Sequence, residues 1–65
     1  MTWLAVLISL ITDAVVDQRQ VTEQTADKAR LMCQRELYDW VADWNRFAVA
    51  HSDQQGLVRR ECRQQ

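Results

Sequence analysis

The sequence predicts an all-α chain built on one long amphipathic helix, and three observations carry that prediction. One stripe, apolar at both ends and polar in its middle, recurs in steps of three and four along the chain: Leu4, Ile8, Ile11 and Val15, then Gln18, Thr22, Thr25 and Ala29, then Cys33, Leu37, Trp40, Trp44, Phe47 and His51. Such steps trace one face of an α-helix. There is no proline, and the one glycine is Gly56. The chain has 65 residues, too few to bury a large core, and small folds usually add a disulfide, a metal or a partner. The expected architecture is one helix, continuous or broken within 17–30, followed by a short C-terminal helix or tail. It would pack as an oligomer or within a larger assembly.

Four segments follow within a single small domain, 1–65. Segment 3–16 is apolar except for Ser9, Thr12 and Asp13. A membrane-spanning helix needs about 20 apolar residues, and runs of about 10–14 are more often buried helices. A helix buried in an assembly is therefore preferred to a span. If the segment did span, Arg19, Lys28, Arg30 and Arg35 after it would place the rest of the chain in the cytoplasm. Segment 17–30 is polar and reads as a helical connector, since no Gly, Pro or Asn is present to start a turn. A linker between two helices is the alternative. Segment 31–52 is an aromatic-rich amphipathic helix whose Trp40 and Trp44 are neighbours on one surface. Segment 53–65 reads as a short helix capped by Ser52 and Gln55, or as a tail beyond Gly56.

Charge and cysteine usage narrow the partners. A net charge of −1 and a pI near 5.6 argue against a nucleic-acid partner, which selects basic surfaces. Arg59, Arg60 and Arg63 read as a solvated end. Cys33 and Cys62 form no Cys-x-x-Cys pair. On a long helix ending near Gly56, Cys33 lies about 35 Å from that end at 1.5 Å per residue. Cys62 reaches back only about 20 Å. Two free thiols in a reducing compartment are the expectation, with an interchain bond open outside one.

The sequence points to no catalytic, cofactor-binding or metal-binding residue. His51 is the only histidine and reads as a helix C-terminal residue favourably placed against the dipole. The carboxylates are scattered singly, and one glycine cannot form a phosphate loop. No cofactor and no enzymatic activity are expected. The expected function is a non-enzymatic structural or assembly subunit, as in a viral particle or membrane complex. Its partner would be protein, a second copy or a larger complex, met through Leu4, Ile8, Ile11, Val15, Leu37, Trp40, Trp44 and Phe47. One alternative is a single-span membrane protein anchored by 3–16, with a cytoplasmic helical domain acting as an accessory subunit. Another is a regulatory helix that docks in a partner's groove. An apolar N-terminal segment before a polar helix also resembles the layout of small phage lysis and virion-associated proteins.

Overall fold

The apolar N-terminal run is a strand. In the computed structural model, which describes residues 1–65, strand β1 (Thr2–Ser9) lies at the centre of a three-stranded antiparallel sheet. Strand β2 (Val15–Thr22) flanks it on one side and strand β3 (Val58–Gln64) on the other, in the order β2-β1-β3. Helix α1 (Ala26–Ala50) packs on one face, and a single 3₁₀ turn (Gln54–Gly56) leads into β3. The fold is α+β, so the expected all-α helical bundle is wrong.

The error has a physical cause in β1. Ala5, Val6, Leu7 and Ile8 are all at most 1% exposed. Ala5 and Leu7 meet Cys33 and Leu37 beneath the helix. Val6 and Ile8 point to the opposite face, where β2 and β3 cover them: Val6 lies across from Gln18 and Glu61, and Ile8 across from Val15 and Arg59. A strand buried on both faces loses its period-two pattern and reads as a plain apolar run, which periodicity alone cannot tell from a buried helix. On that far face Arg59 contacts Asp13 at 2.8 Å and Glu61 at 3.7 Å, and Glu61 also meets Arg63. The hydrogen bond to Asp13 is the main cause that holds the Arg59 guanidinium above its ordinary pKa.

The polar connector expected over 17–30 divides between the first residues of α1 and β2, an edge strand with only Val21 buried. The turn that starts it uses Ser9 and Asp13. Ser9 Oγ accepts the N–H groups of Ile11 and Thr12, each at 3.2 Å. Asp13 adopts φ 61°, a left-handed conformation that Asp tolerates better than most residues. Helix α1 then begins at Thr25, whose hydroxyl accepts the Lys28 N–H at 3.2 Å. Thr25→Ala should cost about 1 kcal/mol, read as a lower urea midpoint with an unchanged slope.

Three further expectations are corrected here. Segment 53–65 is a 3₁₀ turn and a strand, not a helix or tail. No helix is long and apolar enough to cross a membrane, and 3–16 is not helical. The two cysteines expected to be free are joined: Cys33 and Cys62 form a disulfide with Cα atoms 6.2 Å apart. The separation of the two thiols held only for a continuous rod. Because β3 runs back antiparallel to β1, Cys62 lies opposite Ala5, beneath the helical turn that carries Cys33.

Candidate functional site

The eight residues expected to form one interface are dispersed by this fold. Leu37 is buried and Trp40 and Trp44 are half-buried, all against the chain's own sheet. Leu4 and Ile8 share the far face of β1, half-buried and buried. Ile11 stands in the β1–β2 turn and Val15 opens β2, both exposed. Phe47 is exposed on the last turns of α1 and stacks on His51, with ring centroids 4.0 Å apart. His51 is the residue that ends α1, where the sequence reading put it.

What the fold assembles instead is a groove of about 680 Å³ between α1 and β3. The helix leans over β1 and β3 and away from β2. Trp3, Leu37 and Cys62 form the floor, and Arg30, Leu31, Gln34, Arg35 and Tyr38 form the helical wall. Arg60 and Glu61 bring β3 to its other side. The Arg60 guanidinium lies 5.5 Å from the centre of the Tyr38 ring. Below the floor, Trp3 Nε1 is buried without a hydrogen-bond acceptor.

The outer edge of β3 opens onto this groove. In an antiparallel ladder, alternate residues direct their N–H and C=O groups to the neighbouring strand, and the rest direct theirs outward. The bonds Leu10 N–H to Leu57 C=O and Gln65 N–H to Thr2 C=O fix the inward set at 57, 59, 61, 63 and 65. Val58, Arg60, Cys62 and Gln64 therefore face outward. Asn45 occupies the first of these. Its Nδ2 donates to Val58 C=O at 3.0 Å, and its Oδ1 accepts the Val58 N–H at 2.9 Å. One carboxamide thus does what a further strand would do, and the edge beyond it has no such cover. Asn45→Ala should cost about 1–3 kcal/mol and speed exchange of the Val58 amide ahead of the rest of β3, as read by hydrogen exchange.

The opposite edge is better protected. A register shift between Leu7 and Ile8 bends the β1–β2 ladder. Arg19 folds from β2 onto the Trp40 ring at 4.0 Å and meets Glu36 at 3.6 Å. Bulges and charged side chains of this kind keep sheet edges from pairing.

The ion pairs mark the groove further. Of the eight Lys and Arg residues, Arg19, Lys28, Arg46, Arg59 and Arg63 each have a carboxylate partner. Arg30, Arg35 and Arg60 have none, and all three line the groove. Sequence reasoning missed them, and missed Asn45. The alternation of Val58, Arg60 and Cys62 with Arg59, Glu61 and Arg63 was the available signal, being the period of a strand.

A second, more apolar cavity of about 350 Å³ lies at the other end of the helix, lined in part by Val16, Trp44, Phe47 and Val58. Trp44 Nε1 is anchored there by a 3.0 Å bond to Gly56 C=O. His, Cys, Asp and Glu side chains form no group of three or more that could hold a metal. No protein family, curated protein or solved structure matches the chain.

Proposed function

We propose that the chain is a small, non-enzymatic interaction module that binds another protein in the groove between α1 and β3. The observation that carries this reading is the uncapped outer edge of β3 beside a helical wall. Strand addition at an exposed edge is a common mode of peptide recognition, in which the backbone gives affinity and adjoining pockets give specificity. Leu31 and Tyr38, 56% and 66% exposed, supply apolar contact area along the groove. A random peptide library selected against the immobilised chain tests the reading. Selected peptides should slow amide exchange at Arg60, Cys62 and Gln64; peptides that protect only other sites would refute it.

A second reading, assembly with further copies, is favoured by the other end of the molecule. Val16 and Phe47, 46% and 66% exposed, border the apolar cavity there. Phe47→Ser should lower the sedimenting mass if copies meet through that cavity, and leave it unchanged if they do not.

A further inference from the structure

We propose that the groove's partner is an extended, acidic segment of another protein, bound as a fourth strand along β3 with its carboxylates on Arg30, Arg35 and Arg60. The proposal rests on the groove being the binding surface, and it names the chemistry of what binds there.

Charge complementarity carries the inference. The protein as a whole is slightly acidic, at −1, and its other Lys and Arg side chains are all held by its own carboxylates. Three guanidiniums are left over, and the fold gathers all of them around one groove. Glu61 also borders the groove but is engaged by Arg59 and Arg63. Guanidinium forks suit carboxylates, which they can bind through two parallel hydrogen bonds.

Geometry distinguishes a peptide from other anions. The outward N–H and C=O groups of Arg60, Cys62 and Gln64 match the repeat of a strand, not that of a phosphodiester chain. Asn45 closes the edge at Val58, so an added strand starts its pairing at Arg60. On the helical wall, Arg30 and Arg35 are five positions apart, so a rise of about 7.5 Å and a turn of about 140° set them at the two margins of the groove that both line. Alternate side chains of an added strand share one face, so carboxylates at alternate positions all turn toward the helix that carries the two arginines.

Three octapeptides alternating valine with glutamate, with lysine or with serine make the test, together with an eight-nucleotide oligothymidylate. Each is titrated into the isotope-labelled, oxidised full chain, with affinity and amide exchange followed by NMR. The glutamate peptide is expected to bind most tightly and to slow exchange at Arg60, Cys62 and Gln64. Its affinity should fall as salt is raised. Arg30→Glu and Arg35→Glu should each weaken it about fivefold, as expected for solvent-exposed pairs. Both positions are exposed on α1, and circular dichroism of each variant confirms that it folds. Equal protection of those amides by the lysine or serine peptide would overturn the acidic partner and leave the groove as a peptide site. Protection by no peptide, or a response to the oligonucleotide alone, would overturn both.

Discussion

Removing the Cys33–Cys62 disulfide is expected to destabilise the fold by about 3–4 kcal/mol. The bond spans 29 residues of sequence, and the loop-closure relation for a loop of that size gives a value in this range. For so short a chain this is a large fraction of the total. At about 0.05–0.15 kcal/mol per residue, the whole fold is worth roughly 3–10 kcal/mol. The bond also sits where loss hurts most. Cys33 is fully buried at the centre of the α1 face, and Cys62 lies on an outer strand that has only one strand neighbour. The measurement is urea unfolding of the oxidised chain against the same chain in reductant, and against Cys33→Ala/Cys62→Ala. Both should shift the midpoint sharply downward. A midpoint that does not move on reduction would show that helix and sheet hold β3 without the bond. Because Cys62 ties β3 to α1, loss of the bond should raise amide exchange first at Glu61 and Arg63, whose N–H groups face β1.

The sequence disclosed the helix and concealed the sheet, for reasons that lie in particular residues. Cys33, Leu37, Trp40 and Trp44 keep helical spacing because they cover one face of α1, and that signal was read correctly. What they cover could not be read. The helix is amphipathic whether its apolar face meets a second copy or a sheet of the same chain. The β1 segment gave a false helical stripe because all of its central residues are apolar, so any spacing can be drawn through them. Val15, Val16, Val21 and Thr22 carry a β-branched signal for β2 that the helical reading did not use, because segment 17–30 holds no Gly, Pro or Asn to mark a turn. Thr12 and Asp13 supplied that turn chemistry all the same. The disulfide depends on the return of β3, which no local pattern encodes. The groove arginines are ordinary helix and strand residues one at a time. Their meaning appears only once β3 lies beside α1 and the other cations are seen to be paired.

Val6→Asp separates the two folds most sharply and is expected to unfold the protein. On a helix whose stripe runs through Leu4, Ile8, Ile11 and Val15, Val6 would lie on the opposite, solvated side, where an aspartate costs little. In the sheet it is 0% exposed, at the centre of the middle strand. The substitution removes about 1.5–3 kcal/mol of apolar burial and places a carboxylate in a site closed to water. Its direct cross-strand neighbours are Gln18 and Glu61, and a like charge directly opposite is unfavourable. Arg59 and Arg63 stand diagonally but are already bound to Asp13 and Glu61. A total of about 3–5 kcal/mol follows, comparable to the stability of the whole domain. Ile11→Asp is the matched control, since Ile11 lies on the helical stripe yet is 61% exposed in the turn. It should change stability by no more than about 0.5 kcal/mol. Far-UV circular dichroism and urea unfolding of both variants give the answer. A folded Val6→Asp beside an unfolded Ile11→Asp would restore the helical rod and remove the sheet edge on which the groove depends.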